Sequence, residues 1–600
     1  MSIATRSVRQ AVSSTRDRWP AAIWHRSAPR AVRKAYASGD ESAGWTVWQR
    51  HLRTRKRPLA PSQVVGGNRM LAWGLPAVEV SALFSPERAA EDGRPLRAVL
   101  REWLDEMAGQ RWARRDALSA LAWCRALPGL AAVLPADAWW ELLSHLLHRA
   151  AEADAAGAVG AHWDEEPLTH QLVAGELALT LAYLFPELTI CRELAPQGAR
   201  TVSAGLMDLL DDRGLLHARH LDQLPLLLAC WTRCRLLGRR LKHGCWPRSA
   251  DQPYRRLVRS ALRLARRDGS HVFSDSATGP SGGEWLAAAA TLGGRPKDRR
   301  LAELLLGGGK KKCRGGRHAR LPSAAVHSEW AATAVLRPDW SPSAPRLTVL
   351  YADASCRMEL SCGRDVLWSG TWTLDVQIDG EPVLPNSSWD AVCWVSDDDV
   401  DYLELEIGLG EGLRVQRQML LARRDRFLLL ADAVLSARPA TIHYRGALPL
   451  CSATAWREAC ETREGALAGR KPRAMLLPLG LPEWLADRRG GELVVAGGSL
   501  ELRQTATGRA LWTPLFFDLD RSRVSKPLTW RPLAVAESHV VQPPDVAVGY
   551  RVALGKAQWL IYRSLASPQS RSLLGYNVCT ETLVARFDRE GEVDPLVEVE

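Results

Sequence analysis

At 600 residues the chain is too long for one ordinary domain and long enough for two large ones. Hydrophobic residues make up 46% and charged residues 24%, which excludes global disorder, and the formal charge of +12 favours acidic partners without naming one. No apolar run reaches the roughly 20 residues of a transmembrane helix. The basic start lacks the continuous apolar stretch of a secretory signal, so a cytoplasmic location is the expectation. Twelve cysteines without a CxxC pair exclude a small disulfide scaffold and the common zinc-ribbon spacing.

Residues 1–60 hold 13 Lys/Arg against 3 Asp/Glu, nearly the whole surplus, and end in RTRKRP at 53–58. They read as a solvated basic N-terminal arm, with nucleic acid or anionic lipid as the alternative contact. From about 90 to 270 the apolar spacing is helical. In RPLRAVLREWLDEMAG, Leu96, Val99, Leu100, Trp103 and Leu104 share one face. ALSALAWCRAL, AWWELLSHLLHRA and GELALTLAYLF continue the pattern, with Pro and Gly between segments. The spacing predicts a further helix over 222–241, with Pro225 in its first turn. The basic stretch 233–267 overlaps this patterning and reads as a charged helix face. GGGKKKCRGGRHAR at 307–320 reads as a mobile loop; it lacks the Lys-Ser/Thr ending of a phosphate-binding loop.

After about 327 the grammar changes. TWTLDVQIDG, DYLELEIGLGEGLRVQRQML and RFLLLADAVL alternate or form short apolar runs punctuated by Gly, Pro and Asp. Antiparallel strands in a two-layer sandwich are the expectation. The domains are therefore 1–60, 61–326 (helical) and 327–600 (strand-rich).

Some of these segments carry a family resemblance. THQLVAGELALTLAYLFPEL, LLDDRGLLHARHLDQLPLLLACWTRCRLL, SEWAATAVLRPDW, VQRQMLLARRDRFLLLADAV, IHYRGALPL and YRSLASPQSRSLLGYNVCTETLVARF resemble heparinase II/III-like proteins over roughly 90–600. The resemblance implies an α+β multidomain chain, an incomplete α/α toroid followed by a large antiparallel β-sandwich. It also implies polysaccharide lyase chemistry on an acidic, uronate-containing glycan. The chain departs from the family pattern in three places. Leu168 and Thr169 precede His170 where the family has an Asn-Asn pair. Asp222 and Gln223 stand for a Tyr-His pair, and His217 stands near an acidic position. The β-domain metal pattern is missing around Tyr351, Asp353, Cys356 and Arg357.

Cleavage by β-elimination needs a base for the proton beside the uronate carboxylate. It also needs an acid for the glycosidic oxygen and positive groups for the developing charge. His170, His217 and His220 are the candidate catalytic residues, because imidazole exchanges protons near neutrality. Arg213 and Arg219 are the candidate carboxylate holders. The same 211–222 cluster also reads as helix caps and structural ion pairs. Trp163, Trp231, Trp330, Trp340 and Trp394 each read first as core packing; Trp163, just before His170, is the candidate sugar platform. Cys230, Cys234, His243 and Cys245 read as core or boundary residues, and no metal or cofactor is assigned. The leading expectation is a lyase. A catalytically inactive protein that binds acidic glycans is the alternative, and nucleic-acid association through the arm ranks third.

Overall fold

The computed structural model describes residues 23–55, 70, 71, 73, 93–109, 112–157, 166–274, 282–306, 321–410, 412–469, 471–588 and 590–600. Residues 1–22, Lys56 and Arg57, Trp163 and the 307–320 segment lie outside them. The chain divides into two compact units. One is helical, Met1–Leu216 with His220–Leu262 and Asp268–Leu306. The other is built of strands, Gly307–Glu600 with His217–Arg219 and Arg263–Arg267.

In the helical unit, α1 (Arg30–Ala37) and α2 (Glu41–Thr54) occupy a stretch that composition assigns to a solvated arm. Asp40 caps α2 by accepting the Ala43 N–H at 2.9 Å. Trp48 on α2 is fully buried, and Arg55 and His51 both reach the Glu187 carboxylate, at 3.0 and 2.9 Å. Over residues 30–55, then, the arm is folded, because its tryptophans gain more from burial than its cations lose. The helices α3 (Leu96–Met107), α4 (Arg114–Leu130) and α5 (Ala136–Gly157) follow. Val99, Leu100, Trp103 and Leu104 of α3 are buried, as their spacing requires.

Much of the tryptophan surplus sits in this unit's core. Trp139 and Trp140 meet edge-on at 4.8 Å, Trp24 packs on Trp48 at 5.0 Å, and Phe185 stands edge-on to Trp139 at 5.5 Å. Such edge-on pairs suit the ring quadrupole.

Next, α6 (Pro167–His170) runs into a π-helical stretch, Gln171–Leu177, and on into α7 (Ala178–Leu184). The π-stretch carries the buried Glu176. Arg233 of the later helix Leu224–Gly238 grips both its oxygens, at 2.6 and 2.7 Å, and Arg125 adds a third contact at 3.2 Å. The remaining Arg233 donor goes to the Met70 carbonyl at 2.9 Å. Arg233 is thus a core residue, not part of a solvated face. Its basic neighbours are also engaged: Arg235 with Asp251, and Arg259 with Asp298 at 2.7 Å.

In the β unit, β1 (Val326–Ser328), β2 (Thr333–Leu336), β3 (Pro345–Leu350), β4 (Arg357–Cys362) and β5 (Asp365–Thr371) form one antiparallel sheet in that order. A larger sheet holds β6 (Asp375–Ile378), β7 (Glu381–Val383), β8 (Asp390–Ser396), β9 (Val400–Gly410), β10 (Leu413–Ala422) and β11 (Phe427–Pro449). It continues with β12 (Ala455–Glu458), β13 (Gly465–Ala468), β14 (Pro472–Pro478), β15 (Gly491–Ala496), β16 (Ser499–Trp512) and β17 (Leu515–Asp518). A third sheet contains Ala547–Leu554, Ala557–Ser564 and Thr582–Phe587.

The sandwich has three layers where alternation alone suggests two. Leu428 and Leu430 of β11 enter a core shared with the first sheet, including Leu347, Met358 and Trp368. Leu429 and Ala431 enter another, shared with Trp559 and Ile561 of the third sheet. A strand buried on both faces needs a continuous apolar run, and RFLLLADAVL is one. In the first core, Arg417 lies between Trp372 and Trp389, 3.8 and 4.8 Å from the ring centroids, and forks onto Asp432 with two bonds of 2.8 Å.

Candidate active site

The DDRGLLHARHLD segment is shaped by a tight turn. The Asp211 carboxylate accepts the N–H groups of Arg213 and Leu215, at 2.9 and 2.7 Å. Gly214 has φ +80°, and a Cβ there would lie 2.3 Å from the Arg256 carbonyl carbon, so glycine alone fits. The Arg213 carbonyl accepts from Ser260 Oγ at 3.0 Å while its side chain stays exposed beside Asp212. A 3₁₀ turn, Ala218–Gln223, follows.

Within that short segment the chain passes between units. His170, Arg213 and His220 are residues of the helical unit, whereas His217 and Arg219 are counted with the β unit. In the β unit the Ala218 N–H donates to the Ala331 carbonyl at 2.8 Å. That bond holds His217 edge-on to Trp330, with centroids 5.8 Å apart and planes at 90°. Trp330 is 52% exposed on the β1–β2 turn, although tryptophan composition favours a core site. The turn is fixed by Ala331 N–H donating to Ser328 Oγ at 3.1 Å and by Ala332 at φ +46°.

Three electrostatic features accompany this geometry. The Arg219 N–H points at His217 Nδ1, 3.3 Å away, so a neutral His217 carries its proton on Nε2. The Asp353 carboxyl is held low, first by the hydrogen bond from the Ser355 side chain and further by the Ser355 N–H and the charges of Arg219 and Arg357. Burial lowers the pKa of His170 in the helical unit, which favours its neutral form.

Sequence reasoning passed over one pair. His327 Nε2 lies 2.7 Å from the Tyr351 hydroxyl, and the His327 ring stacks on Trp394 at 5.1 Å. Burial, with Glu329, Cys356 and Asp390 nearby, pushes the Tyr351 hydroxyl up, so it stays protonated and can donate to His327. The resemblance-bearing segment SEWAATAVLRPDW begins at Ser328, one residue past this histidine. A histidine inside the first short strand-like segment of the strand-rich half, three residues before a tryptophan, is the signal that marks it.

Among the described residues, Glu176, Cys230 and Cys234 bring their ligand atoms within 4.8 Å of one another. The donor set does not suit a divalent ion. Arg233 and Arg125 already occupy the Glu176 oxygens, and burial raises both thiol pKa values, keeping them protonated.

No family model matches the sequence, and no curated protein does. Solved structures match over nearly the whole chain. A crystal structure of heparinase III superposes with TM-score 0.60 at 11% identity, covering 91% of this chain and 99% of that one. The heparinase III-BT4657 gene product gives 0.59 at 10% identity, covering 91% and 98%. The heparan sulfate lyase HepC from Pedobacter heparinus gives 0.53 at 12% identity, covering 90% and 98%. At such identities the likeness is one of fold. What the chain shares with the heparinase III and heparan sulfate lyase structures is therefore the fold, α-helices followed by an antiparallel β-sandwich.

Proposed function

We propose that the chain is a polysaccharide lyase that cleaves an acidic, uronate-containing glycan by β-elimination. The observation that carries this reading is the exposed Trp330 held edge-on to His217, with Arg219 beside it. An indole offers a sugar ring an apolar face, a guanidinium pairs with a uronate carboxylate, and an imidazole supplies the proton exchange. With Nδ1 facing the Arg219 N–H, a neutral His217 offers its Nε2–H as a hydrogen bond to the glycosidic oxygen, which stabilises the charge that develops as the bond to the leaving group breaks. His170 is favoured neutral, the state a general base requires. His220 is a further candidate for proton transfer, and Arg213, exposed on its turn, for charge stabilisation. Trp163 remains a proposed sugar contact by its place before His170.

A second reading is an acidic-glycan-binding protein that has lost catalysis. It is favoured by Leu168, Thr169, Asp222 and Gln223 standing where the family pattern has Asn-Asn and Tyr-His. Nucleic-acid association through the N-terminal basic residues ranks below both, since Arg55 and His51 are already paired to Glu187. The test is incubation of the full chain with a panel of uronate-containing polysaccharides, read by ultraviolet absorbance of unsaturated products and by mass spectrometry. Cleavage supports the lyase; retention of glycan without unsaturated ends supports the binding protein.

A further inference from the structure

The β unit carries a concave surface built from residues that the lyase reading does not use. Its floor is the far half of β11 with its neighbours, hydrogen-bonded in the order β7, β6, β11, β16, β15. Glu458 and the loop bearing Leu485 and Arg488 make a wall, and the cleft encloses about 1210 Å³. Five strands span roughly 19 Å across the sheet, enough for a chain of several small rings.

Strand alternation divides the two faces. Val376, Ile442, Tyr444 and Leu502 point into the core. Their outward neighbours line up across the strands in two rows. One row is Gln377, His443 and Thr505; the other is Asp375, Arg445, Arg503 and Glu492. Arg445 forks onto Glu501 at 2.7 and 3.0 Å and reaches Asp375 at 3.1 Å. Arg503 shares Glu501 at 2.7 Å and reaches Glu492 at 2.9 Å. The Arg445 hydrogen bond, with Arg503 assisting, holds the Glu501 carboxyl down at about 2, so the array stays charged across the physiological range.

This chemistry selects a ligand class. Each floor guanidinium already holds two carboxylates, so a polyanion meets no surplus of positive charge. The floor is too polar for an apolar ligand. A hydroxyl, however, donates to a carboxylate and accepts from a guanidinium at once, and paired, pre-oriented side chains lose little freedom in binding it. Leu384 and Leu485 on the rim are 79% and 44% exposed and offer apolar contact to C–H faces. We propose that this cleft binds a neutral oligosaccharide, as a surface separate from the residues of the lyase reading.

The experiment titrates the full chain with neutral hexasaccharides of glucose, mannose, xylose and galactose by calorimetry and saturation-transfer NMR. The variants are Gln377→Ala with His443→Ala, and Thr505→Trp to fill the cleft; matching thermal melts check folding. The expected result is binding of at least one hexasaccharide. It should weaken about tenfold or more in the double variant and be lost in T505W, with cleavage of acidic polysaccharides measured separately and unchanged. No binding across the panel overturns the proposal. So does binding that the variants leave intact, or salt-sensitive binding of acidic glycans at this cleft instead. The cleavage assay fails or succeeds independently of these outcomes.

Discussion

Trp330 stands edge-on to His217, ring centroids 5.8 Å apart, with half its surface open. A side chain so exposed contributes little to stability, so Trp330→Ala is expected to shift unfolding by no more than about 0.5 kcal/mol. If the indole carries a sugar ring, the same change raises KM about tenfold or more with a small effect on kcat, and Trp330→Phe restores most of it. Steady-state kinetics on a uronate polysaccharide, with a thermal melt of each variant, reads both. An unchanged KM in W330A removes Trp330 from the proposed site.

Glu176 and the two arginines on it make a different prediction. The pair with Arg233 is fully buried, at 2.6 and 2.7 Å. Glu176→Gln leaves two buried guanidinium groups without a counter-charge, which costs roughly 3–5 kcal/mol. Replacing Glu176 by Met together with Arg125 and Arg233 by Leu should recover much of that loss. Denaturant melts of the wild type and the two variants test this; equal destabilisation by the single and the combined change would argue that these charges are not coupled.

His145 supplies a pH dependence. It packs against Trp103 and Trp112 at 5.7 and 5.8 Å. Burial, then the charges of Arg149 and His148, lowers its pKa from 6.5 to about 4. Above the unfolded value both states are neutral and stability is full. As pH falls below 6.5 the unfolded chain takes up a proton that the folded chain refuses, so stability declines until about pH 4. The loss from this one group is up to roughly 3 kcal/mol. In His145→Gln the slope of unfolding free energy against pH should be shallower by about one proton across that window. Parallel slopes in variant and wild type would contradict it.

The division into helices and strands was legible because apolar periods of 3.6 and 2 survive in α3 and β9 whatever packs on them. The third layer of the sandwich was not, because LLLADAV reads as one apolar run and periodicity does not count partners. Arg233 looked solvated, since its carboxylate partner lies 57 residues away on a π-helical stretch that no local pattern announces. Trp330 looked like core for a related reason: composition rates tryptophan by type, while its exposure follows from the β1–β2 turn. The 211–222 segment was legible as a dense polar turn. That the chain passes from one unit to the other within it was not, because this depends on the Ala218 to Ala331 bond, between residues 113 apart.

The most direct test of the lyase reading is product absorbance from uronate-containing polysaccharides treated with wild type, His170→Ala, His217→Ala and Arg219→Ala. The account predicts unsaturated products from the wild type. It also predicts a loss of 10²-fold or more in H170A and H217A, and a raised KM in R219A. Folded protein that yields no unsaturated product on any member of the panel, or cleavage untouched by all three substitutions, would contradict it.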